Sequence, residues 1–566
     1  MKNKITRRQF LKKSARGATI LGLGGYNLLL QGCSSKSDYD LIILKGIVFD
    51  GLGNPGNEAD IAIKGDKIVR IGNNLKKSKA KIIVEANGLA VSPGFIDVHS
   101  HTDVELLVNP KAESKIRQGV TTEISGNCGY SPFPIPDSVF EEQKRYFKEE
   151  YDLDLDWKEI NGFFNRLEEK GIAVNYATLL GQGAVRGAVV GFNDRLPTEN
   201  ELKLMKKLVE ENIKAGALGL STGLEYAPGS YARTEELIEL CRAAAKYNGV
   251  YATHMRDEGD HLLEAIKEAI KIAREAKISL EISHLKAAYP RNWTKIEAAL
   301  QKIDQAQKEG IDVLADRYPY IAGSTGLSFY FPLWARQGIT DEFLARLKDP
   351  SLDSKLRSYV KEQEEKLGSW EKVLICSVFT KKNKPLEGKN ILQAAKEAGK
   401  DPYEFMRDLL IEEENRVEMI IFMMNEDNLK KVLAYPLVVI GSDGNSVAPY
   451  GTLSKGKPHP RYYGTFPRVL GKYTREENIF TLPQAIKKMT SLPAQKFSLI
   501  KRGQVKEKYF ADLVIFDPEK VIDSATWEKP HIYPAGIEYV LVNGQVVVQQ
   551  GDHTGALPGR ILKKIL

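Results

Sequence analysis

The sequence predicts an α/β protein: a (β/α)8 barrel with a small β-sandwich domain built from both chain ends and a lid insertion in the barrel. Three observations carry this. Between about residues 92 and 492, short apolar runs alternate with loops and amphipathic stretches, the texture of repeated strand–helix units. Turn-punctuated short strands occur only near the two ends, in DLIILKGIVFDG and ADIAIKGDKIVRIG at one and in ADLVIFD and YVLVNGQVVVQQGD at the other. Finally, GFIDVHSHTD ends an apolar strand by placing His99 and His101 two residues apart. Strand side chains alternate faces, so that pair shares one face and can converge on one ion.

Taken in chain order, residues 1–32 read as a leader. TRRQFLK is followed by the Gly-rich apolar run GATILGLGGYNLLL, too short and too rich in glycine for a transmembrane helix. The leader resembles a twin-arginine export signal, and LQGC resembles a lipoprotein processing site with Cys33 as the lipidated residue. Gln31 departs from the usual box, which keeps plain signal cleavage open as the alternative. Residues 33–38 then form a polar tether. The expected location is the bacterial cell envelope, with membrane contact only through a lipid on Cys33. The leader also explains the net charge of +7. It holds seven basic and no acidic residues, so the remaining 74 basic residues match the 74 acidic ones. A balanced mature chain offers no overall field for nucleic acid.

The chain of 566 residues is long enough for a catalytic core and an accessory domain. The sandwich is expected from residues 39–92 and 493–566, and the barrel from 93–492. Its strand candidates are GFIDVHSH, TTEISGN, VNYATLLG, ALGLSTGL, VYATHM, LEISHLK, DVLADRYPY and LVVIGSDG. Residues 324–425 are too long for one strand–helix unit and read as an insertion that folds over the barrel mouth as a lid.

Barrel chemistry gathers at the C-terminal ends of the strands. There the sequence places His99, His101, Cys128 (in SGNCGYSP), His254, His284 and Asp443. Five N and S donors with one carboxylate are the ligand classes zinc prefers, which points to a metal-dependent hydrolase. His261, His459, His531 and His553 lack this setting. Cys241 and Cys376 lie in apolar runs and read as core residues, so no disulfide framework is implied.

The motifs GFIDVHSHTD, SGNCGYSP, LSTGLEYAPGSYA, ATHMRDE, ISHLK, DRYPYIAGST, SDG and HPRYYGTFPRVL, in this order from about residue 40 to the C-terminus, resemble the D-aminoacylase (N-acyl-D-amino-acid deacylase) branch of the amidohydrolase superfamily. The resemblance implies zinc-dependent hydrolysis of a small-molecule N-acyl-D-amino acid. It implies one tightly held Zn2+ on Cys128, His254 and His284. A second, weaker position would be framed by His99 and His101 near Asp443, with Cys128 as bridge. Asp443 would be the general base and acid. Tyr226, Lys286, Tyr318 and Arg461 would bind the substrate, with Tyr320 an alternative to Tyr318. Arg256 and Asp257 would brace the metal shell. Between Asp443 and Arg461 this chain runs several residues longer than the family pattern, which puts the placement of Arg461 in question. A cyclic-amide hydrolase of the dihydroorotase or hydantoinase kind is the nearest alternative. Such enzymes usually bridge two metals with a carboxylated lysine, and ALGLSTGLEYAPG has no lysine. A non-catalytic envelope binding lipoprotein would be expected to lack a ligand or Asp443, and none is missing.

Overall fold

Eight short strands form the barrel: Phe95–Asp97, Val120–Ser125, Asn175–Thr178, Gly219–Gly223, Val250–His254, Ser279–Ile282, Val313–Arg317 and Val438–Ile440. Six fall within the eight apolar runs, and the second and sixth begin one residue earlier, at Val120 and Ser279. Apart from Ser279, every residue in them is buried, as expected for parallel strands covered on both faces. Neighbours pair in parallel around the ring, the third reaching the fourth through Leu180–Gly181. A parallel bridge between Ser100 and Gly444 joins the eighth strand to the first. This computed structural model describes residues 38–565, so the leader, Cys33 and all but the last tether residue lie outside the described residues. No helix among the described residues is long and apolar enough to cross a membrane.

The outer helices follow from local sequence. Glu199–Ala215 begins at Thr198, whose side chain caps Glu201 N–H while the Glu201 carboxylate reaches back. Leu262–Ala276 buries Ile266, Ile270 and Ala273 on one stripe at spacings of four and three. Fully burying a side chain such as Ile266 contributes about 2 kcal/mol.

Strands from both ends form one nine-stranded sheet. Its junction is Ala90–Pro93, which pairs with Tyr39–Val48 on one side and with Leu513–Phe516 on the other. A bridge between Lys67 and Phe510 brings the N-terminal edge back to the C-terminal segment, around a core that includes Ile43, Ile61, Leu513 and Leu541. The last residues do not stay in this domain. Ile561 bridges to Tyr176 on the third barrel strand, and Leu562 packs into the base of the barrel.

The insertion has its own framework. Ala322–Gly326, Val373–Val378 and Val417–Phe422 make an antiparallel sheet, covered by helices that share a separate apolar core around Trp370, Leu356 and Met406. The first of these strands starts at Ala322, two residues before the expected boundary.

Candidate active site

Six side chains converge from the C-terminal ends of five barrel strands. Cys128 Sγ lies 3.3 Å from His99 Nε2 and 3.6 Å from His284 Nε2. Asp443 Oδ1 lies 3.1 Å from His101 Nε2 and 3.5 Å from His99 Nε2. Two ligand sets result, His99–His101–Cys128–Asp443 and Cys128–His254–His284, with the ligand atoms of each within 4.8 Å of one another. Cys128 belongs to both, which is the position of a bridge.

The backbone is strained to achieve this. Cys128, His284 and Asp443 have φ of 51°, 38° and 51°, the left-handed region that costs a non-glycine residue on the order of 1–3 kcal/mol. Gly129 makes room beside Cys128: a Cβ there would meet Gly223 N at 2.6 Å.

The donors fit a metal. His254 Nδ1 is buried without a hydrogen-bond partner, while Nε2 faces Glu225 Oε2 at 3.1 Å. With the ring proton on Nε2, Nδ1 is left as a free lone pair. An unmatched buried polar atom costs about 1–3 kcal/mol, which a cation would repay. Two of the other three rings, those of His99 and His284, are held in the same way. His99 Nδ1 lies 2.9 Å from Asp316 Oδ2, and His284 Nδ1 lies 2.8 Å from Glu258 Oε1. Carboxylates behind ligand histidines fix the tautomer and make the ring a better donor.

Burial alone would raise the Cys128 thiol, but the surrounding histidines, His99 foremost, hold it well below its ordinary value. Burial likewise opposes protonation of His101, yet Asp443 and Cys128 push it up to about 9. The Asp443 carboxyl would also rise on burial, and Arg461 and His99 bring it well below the usual carboxylate range. The thiolate and carboxylate are therefore anionic at neutral pH, balanced by ring protons whose place a dication would take.

The site opens into a cavity of about 960 Å³, walled partly by the insertion through Thr325, Phe329, Tyr359 and Glu418. Tyr226, Tyr318, Lys286 and Arg461 all line it. The Tyr226 ring meets that of His254 at 4.9 Å. Arg461, buried despite the long preceding loop, lies over Tyr318 at 4.7 Å and places Nη1 2.8 Å from Asp443 Oδ2. Tyr320 does not line the cavity; its hydroxyl reaches Asp523 Oδ2 at 3.3 Å, which decides for Tyr318.

Two expectations need correction. Lys286 is not a free cation, because both Glu258 oxygens hold its ammonium at 2.5 and 2.6 Å. Arg256 and Asp257 do not brace the ligands. Arg256 pairs with Glu268 and donates to the carbonyls of Ser230 and Ala232, and Asp257 accepts from Gly259 and His261 N–H groups. The bracing falls to Glu225, Glu258 and Asp316, which the sequence reading missed. Glu258 alone carried a local signal, four residues beyond His254.

A model of the amidohydrolase family matches residues 83–333 and 391–548. D-aminoacylase of Alcaligenes xylosoxydans xylosoxydans is 37% identical over 94% of this chain and 99% of its own. The crystal structure of N-acyl-D-glutamate deacylase from Bordetella bronchiseptica, complexed with zinc and a phosphonate mimic of the tetrahedral intermediate, superposes with a TM-score of 0.79 at 32% identity, covering 93% of this chain and all of that one. A D-aminoacylase structure, described by one-metal activation and second-metal attenuation of a binuclear centre, gives a TM-score of 0.77 at 36% identity over 93% and 100%. The chain belongs to the amidohydrolase family, in the group of the D-aminoacylases and N-acyl-D-amino-acid deacylases.

Proposed function

We propose that the protein hydrolyses the amide bond of N-acyl-D-amino acids, releasing a carboxylate and the free D-amino acid. The observation that carries the reading is Asp443, set between His101 and Arg461 at the mouth of the Cys128–His254–His284 ligand set. Preference for the D enantiomer rests on the relatives. Cys128, His254 and His284 would hold the principal zinc, and His99, His101 and Asp443 would frame a second position that shares Cys128. A bound zinc ion supplies Lewis acidity to the attacking water and to the acyl carbonyl.

Asp443 accepts the proton that water loses as its oxygen attacks the acyl carbon, and delivers it to the leaving nitrogen as the C–N bond breaks. Arg461, its guanidinium over the Tyr318 ring, receives the substrate α-carboxylate, and Tyr226 and Tyr318 flank it. Lys286 retains a part in this. When His284 ligates through Nε2, its Nδ1 must keep the proton and donates it to Glu258. Lys286 Nζ lies 2.8 Å from Nδ1, so its third N–H then loses that acceptor and is free to donate to a ligand in the cavity. The leader supports export to the cell envelope, which fractionation of tagged protein would test.

The deciding assay is amine release by zinc-loaded protein from N-acetyl-D-amino acids, their L enantiomers and hydantoins in parallel. Linear D substrates should turn over fastest; faster L or cyclic substrates would overturn the proposal.

A further inference from the structure

The insertion itself brings to the cavity another cation that deacylation leaves unused. Arg336 lies on a turn in which Pro332 O accepts from Ala335 and Arg336 N–H groups. Arg346 Nη1 donates to Ala335 O at 2.9 Å, and Gly338 N–H donates to Phe192 O at 3.0 Å. The turn is tied on both sides, so the guanidinium is presented from a fixed base. Arg336 Nε is buried without a partner, and among the described residues no side-chain hydrogen bond or ion pair engages the group. Phe329 lies against it with the ring centroid at 5.9 Å, and Tyr226 and Tyr359 line the same cavity. Among the described residues no carboxylate pairs with it, and Glu225, on the same cavity, is engaged by His254.

A second unmatched donor lines the same cavity. Gln363 sits one turn beyond Tyr359 on the helix Asp353–Leu367, so the two share a face. It is 7% exposed, its Nε2 has no partner, and it lines the same cavity as Arg336 and Tyr359. The Arg336 guanidinium is partly buried with its Nε unmatched, and a buried amide without an acceptor is unfavourable. A carboxylate brought in by a ligand satisfies both, and the planar fork of arginine suits it. The α-carboxylate is already assigned to Arg461 and Lys286.

We propose that Arg336 and Gln363 form a second carboxylate subsite, so that the preferred substrate carries a further carboxylate at the end of its side chain or of its acyl group. The inference rests on the deacylase reading and names the substrate class within it. The test compares kcat/KM of zinc-loaded protein for N-acetyl-D-glutamate against N-acetyl-D-glutamine, and for N-succinyl-D-alanine against N-succinamoyl-D-alanine. These pairs exchange a carboxylate for an isosteric amide on the side chain or on the acyl group. At least one pair should favour the acid by about tenfold or more, and the pair that does so identifies the source. In Arg336→Met and Gln363→Leu that ratio should collapse toward one. Wild-type protein that hydrolyses the amides as well as the acids in both pairs refutes the subsite without any variant. An acid preference that survives in folded, zinc-loaded Arg336→Met refutes the residue. Failure to hydrolyse any N-acyl-D-amino acid, the neutral amides included, would instead count against the deacylase reading.

Discussion

Replacing Asp443 with Asn separates proton transfer from ligand geometry. Asn keeps the size of the side chain and an oxygen near His101 Nε2, at 3.1 Å in the parent, but it cannot take a proton from water. A positioned general base contributes roughly 10²–10⁴ in rate, equivalent to about 3–5 kcal/mol of barrier. The expected fall in kcat therefore lies in that range. The principal ligand set Cys128, His254 and His284 does not include Asp443, so the protein should still bind about one zinc equivalent. Arg461 supplies a sharper discriminator. In the parent its Nη1 faces Asp443 Oδ2 at 2.8 Å, and loss of that charge leaves the guanidinium without a competing anion. KM for an N-acyl-D-amino acid should accordingly stay level or fall while kcat drops. The measurements are steady-state amine release and zinc content by elemental analysis on the same preparation. Turnover within tenfold of wild type, at unchanged zinc content, would refute the assignment of Asp443 as base.

Three further outcomes are expected. Glu225→Gln weakens the hold on the Nε2 proton of His254, and zinc affinity measured by chelator competition should fall by roughly 10–100-fold. Glu418 projects into the cavity and is reached by water, yet protein encloses it; burial and Glu150 raise its carboxyl to about 7. It is neutral below that pH and anionic above it, so KM for anionic substrates should rise as pH passes upward through about 7, and Glu418→Gln should abolish the rise. Lys488, whose ammonium donates to the Val438 carbonyl at 2.7 Å, is pushed down to about 7 by burial from an ordinary value near 10.5. Between these values the unfolded chain holds the extra proton, so stability gained from this group rises with pH. The stability of Lys488→Met relative to wild type should therefore decrease by about 2 kcal/mol from pH 7 to pH 9 in denaturant titrations, and a pH-independent difference contradicts the shift.

What could be read in the chain and what could not divides along a physical line. The eight barrel strands were legible because parallel strands buried on both faces must be short apolar runs, and because ligands at their ends must be residues of metal-binding type. His254 and His284 follow directly on VYAT and LEIS for that reason. The braces were not legible. Asp316 reaches His99 across 217 positions and Glu225 reaches His254 across 29, and nothing in a local pattern distinguishes these acids from solvated ones. Lys286 shows the same limit from the other side. Its position on the strand face was read correctly, but whether its ammonium is free for a ligand depends on Glu258, a residue on a different loop. The left-handed conformation at Cys128 also leaves no trace in residue type, whereas His284 and Asp443 are of types enriched in that region. That three non-glycine residues hold this conformation at one site implies that the surrounding framework stabilises them against the strain.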